Sequence, residues 1–133
     1  MRVLPELERA VAETAAAEPA VLAAWVFGSR ARGEGRPASD LDVAILTTGG
    51  AAAAGIEDGL AAELAGRTLL DVDVLRLESL GPVLALEVVA TGQRVFARDP
   101  LRADEVEERI RREYLDTAHL RRVQNHYLYG DPL

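Results

Sequence analysis

The chain reads as an α/β (α+β) protein, a small mixed β-sheet flanked by helices. Short apolar runs bounded by Gly or turn residues, "AVLAAWVF" (20–27), "DLDVAIL" (40–46) and "TLLDVDVLRL" (68–77), have the length of strands rather than helices. Around them, apolar residues recur three and four apart, as one face of a helix requires. The resulting order of helix, strand, turn, strand, helix, strand, helix, strand, helix implies helices packed on a sheet.

Leu4, Leu7 and Val11 make one stripe of a helix over 4–17, with Glu6, Glu8 and Arg9 on other faces and Pro19 stopping it. The run 20–27 ends at Gly28 and reads as a buried strand, followed by the turn-rich "GSRARGEGRPAS". The run 40–46 alternates at first and then becomes wholly apolar, the pattern of a central strand covered on both faces beyond its first residues. Ile56, Leu60 and Leu64 predict a helix over 51–65 closed by Gly66, and 68–77 is a third strand. Ser79 is positioned to cap a helix over about 80–91 that ends at Gly92, and "RVFA" (94–97) is a short edge strand. A long helical region runs from Leu101 toward Tyr129, with Val106, Ile110 and Tyr114 on one stripe. Trp25, in the middle of its strand, is expected in the core.

At 133 residues, about half of them hydrophobic, the chain builds one core and one domain over 1–133. It has no Cys, which rules out disulfides and thiolate metal sites. The acid-bearing N-terminus reads as neither a signal peptide nor a membrane span, so a cytoplasmic protein is expected. A net charge of −7 argues against a long nucleic acid as partner, because such binding draws on Lys and Arg neutralising phosphates. All 15 basic residues are Arg, a uniformity that looks like genome-level bias.

The chemistry concentrates in "GSRARGEGRPASDLDVAIL" (28–46). On a strand, residues two apart project to the same face roughly 6.5–7 Å from each other, so Asp40 and Asp42 point together while Leu41 and Val43 enter the opposite layer. Two neighbouring carboxylates repel unless a cation lies between them, and Mg²⁺ commonly takes one or two carboxylates together with substrate phosphates. "LLDVDVL" supplies a third acid, Asp73, with Asp71 in reserve on the same face. Carboxylates converging from two strands can hold two ions about 3.5–4 Å apart, the arrangement that drives in-line phosphoryl displacement, and Asp73 is placed to take the proton of the attacking hydroxyl. Gly28 lets backbone approach a phosphate, Ser29 offers a hydroxyl and an N–H, and Arg30 or Arg32 can either neutralise triphosphate oxygens or form a surface ion pair with Glu34 or a neighbouring acid. There is no G-x-x-x-x-G-K-[ST], and "GEGRPA" lacks the final Gly of a dinucleotide fingerprint.

Gly28-Ser29, ten residues, then Asp40-Leu41-Asp42, with an apolar strand before and after, resembles the signature of the polymerase-β-type nucleotidyltransferase superfamily. "FGSRARGEGRPASDLDVAIL" is similar to its minimal, single-domain MNT branch, the antitoxin half of HEPN–MNT toxin–antitoxin pairs, and "REYLDTAHLRRVQNHYL" is similar to that branch's C-terminal helix. The resemblance implies a polymerase-β-like fold and Mg²⁺-dependent transfer of AMP from ATP to a Tyr of a partner HEPN ribonuclease, which silences the toxin. It assigns the nucleotide phosphates to Gly28 and Ser29, and the metals and catalysis to Asp40, Asp42 and Asp73; Arg30 is added to the nucleotide-binding set on its charge. The alternatives are an antitoxin acting by binding alone and a nucleotidyltransferase of a small hydroxylated molecule. The intact acids favour the enzyme.

By itself an Asp-x-Asp at a strand start is solvated punctuation; its distance from Gly-Ser and the third strand acid tip the balance. Arg121 and His126 mimic the Arg-x-x-x-x-His element of HEPN nucleases, but the region after residue 101 is too short for that helical bundle. The C-terminal helix, about 101–129, with His119, Tyr114, Tyr127 and Tyr129, is instead expected to pack or to dock the partner.

Overall fold

The computed structural model describes residues 4–28 and 40–132. Helix α1 (Pro5–Ala16) leads into β1 (Val21–Phe27), then β2 (Leu41–Thr47), α2 (Ile56–Thr68), β3 (Val72–Arg76), α3 (Pro82–Thr91), β4 (Gln93–Ala97), α4 (Pro100–Asp116) and α5 (Ala118–Tyr129). The sheet order is β3-β2-β1-β4. β1 pairs antiparallel with β2 and with β4, and β2 pairs parallel with β3 through the α2 crossover, so the sheet is mixed as expected.

Alternation along β2, and along β1 beyond the bulge between Val21 and Ala23, sorts their residues into two cores. Val21, Ala24, Val26, Leu41, Val43 and Ile45 pack with Val11 and Ala15 of α1 and Ile56, Leu60 and Leu64 of α2. Ala23, Trp25, Phe27, Ala44 and Leu46 pack with Ala85, Val88 and Val89 of α3 and Ala103, Val106 and Ile110 of α4. Each fully buried Val, Leu or Ile contributes about 1.5–3 kcal/mol, so both layers clamp the central strands. Trp25 is fully buried, and its indole Nε1–H donates to Oε1 of Glu107 at 3.0 Å, which satisfies the one polar atom the core would otherwise strand. Arg94 holds that carboxylate from the other side at 3.2 Å and also meets Asp104 at 2.9 Å, tying α4 to β4.

Several boundaries differ from the sequence reading. Gly66 does not close α2. The helix runs on to Thr68, whose hydroxyl donates to the Leu64 carbonyl at 2.7 Å, and the left-handed closing residue is Leu69 at φ 60°. Burial of Leu64 outweighs the cost of about 1 kcal/mol that a Gly imposes inside a helix. The third strand consequently begins at Val72 rather than at residue 68. Ala51–Ala53 is a short 3-10 turn before α2. Ser79 lies in another 3-10 turn, and α3 starts after Gly81 with Pro82 in its first turn, where a missing N–H costs nothing. The C-terminal helical region is two helices that meet at Thr117. Its hydroxyl donates to the Glu113 carbonyl at 3.0 Å, a side-chain bond that bends helices. Among the described residues no helix is long and apolar enough to cross a membrane.

Candidate active site

The site gathers where β1 leaves the sheet and where β2 and β3 enter it. Register brings it together: Phe27 pairs with Asp42 across the antiparallel ladder, and Asp42 pairs with Asp73 across the parallel one. The N–H of Leu41 donates to the Asp71 carbonyl at 2.8 Å, which starts the β2–β3 ladder just ahead of the acids and holds their stagger. Because Leu41 and Val43 are fixed in the core under α1 and α2, the pleat sends Asp42 to the opposite face, toward the side of Ala44 and Leu46.

Gly28 caps this arrangement. Its φ of +73° lies in the left-handed region, and a Cβ built on it would lie 2.5 Å from Oδ2 of Asp42. Glycine is therefore required twice, for the turn and for the approach of backbone to the carboxylate. Sequence reasoning expected a close approach of Gly28 to a phosphate; within the chain, Gly28 also lies close against Asp42. That reasoning missed Gly92, read merely as the end of α3. A Cβ there would lie 2.9 Å from the Val26 carbonyl oxygen and 3.2 Å from Cβ of Phe27, so this glycine lets the end of α3 rest on the strand that delivers Gly28. A lone Gly between an apolar helix and a strand is the signal that marked it.

Electrostatics couples the acids. Asp42 is half-buried, and its carboxyl is held above the usual 3.8, first by burial, then by the charge of Asp73, then by that of Asp40. Asp40 and Asp73 are exposed. Asp71 is exposed too and serves the ladder through its backbone carbonyl; the charges acting on Asp42 are those of Asp73 and Asp40. The predicted Asp40, Asp42 and Asp73 are thus brought together with Gly28, whereas Ser29, Arg30 and Arg32 lie outside the described residues.

Carboxylate oxygens close enough to repel one another are a donor set suited to a hard divalent cation, which would relieve that repulsion. Among the described residues no three acidic or histidine side chains converge tightly enough to enclose an ion by themselves. A hard divalent cation such as Mg²⁺ would be held here by one or two of these carboxylates, with water and phosphate oxygens as its remaining ligands.

The family model for polymerase beta nucleotidyltransferases matches residues 9–101, from α1 through the start of α4. The chain belongs to that family. The matched span contains every candidate site residue and all four strands. Among solved structures, a toxin–antitoxin complex with AMP-PNP is similar at TM-score 0.73 and 22% identity, over 93% of this chain and 96% of that one. A complex of tri-AMPylated Shewanella oneidensis HEPN toxin with MNT antitoxin is similar at TM-score 0.72 and 22% identity, over 92% and 96%. An MntA–HepT toxin–antitoxin structure follows at TM-score 0.67 and 20% identity, over 94% and 95%. At such identities the likeness is one of fold, and it covers more of the chain than the family model matches. No curated protein matches the chain.

The Arg121–His126 pair of the sequence is engaged elsewhere. Nη2 of Arg121 donates to the Tyr114 carbonyl at 2.6 Å, its guanidinium lies 3.8 Å from the centre of the Tyr114 ring, and Nη1 bonds the Thr117 hydroxyl. Nδ1 of His126 lies 2.8 Å from the Asp131 carbonyl oxygen.

Proposed function

We propose that this nucleotidyltransferase is a protein adenylyltransferase of the cytoplasm, an antitoxin that moves AMP from ATP to a tyrosine of a partner HEPN ribonuclease and so silences it. The observation that carries the reading is the register pairing of Asp42 with Asp73 beside Gly28, with Asp40 adding its charge to the same group. That is a nucleotidyltransferase acid set in a chain whose fold is shared with toxin–antitoxin complexes, one of them with AMP-PNP and another with a tri-AMPylated toxin.

Gly28, Ser29 and Arg30 hold the phosphates of ATP. Asp40, Asp42 and Asp73 are the residues to hold Mg²⁺, which when bound neutralises developing charge on the phosphoryl oxygens and aligns the displacement. The exposed Asp73 accepts the phenolic proton. Half-burial of Asp42 keeps its carboxylate poorly hydrated and so inclined toward a cation.

The test is intact-mass spectrometry of this protein with its HEPN partner, ATP and Mg²⁺, beside the Asp40/Asp42 double variant. Addition of one or more AMP groups to the partner, lost in the variant, is the expected result. A stable complex that silences the partner without any mass gain would overturn the enzymatic reading in favour of neutralisation by binding.

A further inference from the structure

Resting on the reading just given, we infer that the same site also modifies its own chain in trans, with Tyr127 and Tyr129 of α5 as acceptors for AMP from ATP. A transferase that uses a phenolic oxygen as nucleophile needs an exposed tyrosine on a segment that can leave its own fold, next to charge that complements the site. The chain has three tyrosines. Tyr114 is half-buried beneath the Arg121 guanidinium, but Tyr127 and Tyr129 are 80% and 75% exposed, in the final turn of the last helix. That helix has no buried residue, so presenting its end to another molecule sacrifices no core packing.

Charge points to the recipient. Among the described α-helices, α5 alone carries no Asp or Glu, and it holds Arg121, Arg122 and both histidines of a chain whose net charge is −7. The catalytic end of the sheet is the reverse, with Asp40, Asp42 and Asp73 gathered at one edge. Leu75, beside them on the same strand face, is partly exposed, as are Leu120 and Leu128 of α5, so an apolar contact accompanies the electrostatic one. A second copy thus offers an acidic face to the basic helix of the first.

The step balances without a further reagent. The phenolic oxygen of Tyr127 or Tyr129 bonds to the α-phosphorus of ATP, and the bond from that phosphorus to the bridging oxygen breaks. Pyrophosphate leaves with the bonding electrons, and the phenolic proton passes to Asp73.

The experiment mixes the intact protein with an affinity-tagged Asp42→Asn copy, ATP and Mg²⁺, and maps AMP on the tagged copy by peptide mass spectrometry. In parallel the HEPN partner is offered to the intact protein. The expected result is AMP on Tyr127 or Tyr129 of the tagged copy, lost when both are changed to Phe in that copy alone, while the intact protein transfers AMP to the HEPN partner. AMP on the HEPN partner with α5 unmodified overturns this inference and leaves the proposed function standing. AMP on Tyr114 or on a non-tyrosine residue overturns the assignment to α5. Absence of AMP from both acceptors removes the proposed function and this inference with it.

Discussion

The two faces of the β2–β3 pair meet opposite fates although they alternate along the same residues. On one face Leu41, Val43 and Ile45 are sealed beneath α1 and α2, with Val72 and Val74 partly buried beside them. On the other, Ala44 and Leu46 are covered by α3 and α4, but Asp42 is half-buried and Asp73 and Leu75 are exposed. The closed face sets where the strands lie, and with it the register. The open face uses that register to set charges side by side. Packing does the positioning, so the acids need not be stabilised for their own sake, and the strain of their repulsion remains available to a cation.

Changes on the open face should abolish chemistry while sparing the fold. The largest expected effect is Asp42→Asn, which keeps the size and removes the central charge. Transfer should fall on the order of 10³-fold, about 4 kcal/mol of barrier, in a mass-spectrometric rate assay, with no loss of melting temperature. Equal rates would detach Asp42 from the chemistry. Next, Asp73→Asn should lose on the order of 10²–10⁴-fold as an acid–base group, whereas Asp71→Asn should stay close to the starting rate. The reverse ranking would make Asp71 the third acid despite its place at the threshold of β3.

The same contrast predicts stability. Leu41→Ala on the sealed face should cost about 2–5 kcal/mol in a denaturant titration, and Leu75→Ala on the open one no more than about 0.5 kcal/mol. Gly28→Ala combines both regions. Its left-handed φ costs about 1–2 kcal/mol and its methyl would meet Oδ2 of Asp42, so stability and transfer should fall together.

The smallest effect is a pH dependence. The folded-state pKa of Asp42 lies above its unfolded value of 3.8, so between the two the native state binds more protons and stability declines as pH rises. Asp42→Asn should therefore raise the melting temperature at pH 7, and the gain should vanish in acid below the unfolded value. A gain of the same size at every pH would mean that burial and the neighbouring charges are not what perturbs the group.

Much of this was legible in the chain. The apolar runs of 20–27 and 40–46 announced strands because a doubly covered strand has nothing polar to show beyond its ends. The spacing of Gly28 from Asp40 and Asp42, with a third acid on another apolar strand, marked the candidate site. The choice between Asp71 and Asp73 was harder to read: they share strand parity, and only the ladder tells which of them stands opposite Asp42. Gly92 escaped because its reason is a carbonyl oxygen on β1, far away in sequence. The ends of α2 and the break at Thr117 escaped for the related reason that burial of Leu64 and a single hydroxyl bond decided them.

The sequence by itself determined the fold class, the two-faced patterning of the central strands and the candidate acids to consider, since periodicity and composition are local properties of a chain. Tertiary structure decided which carboxylates become neighbours, which glycine touches which atom, and that Asp42 is half-buried while Asp73 and Asp40 are exposed. Those are consequences of register and of where the covering helices stop, and both are set by contacts between residues that the chain keeps far apart.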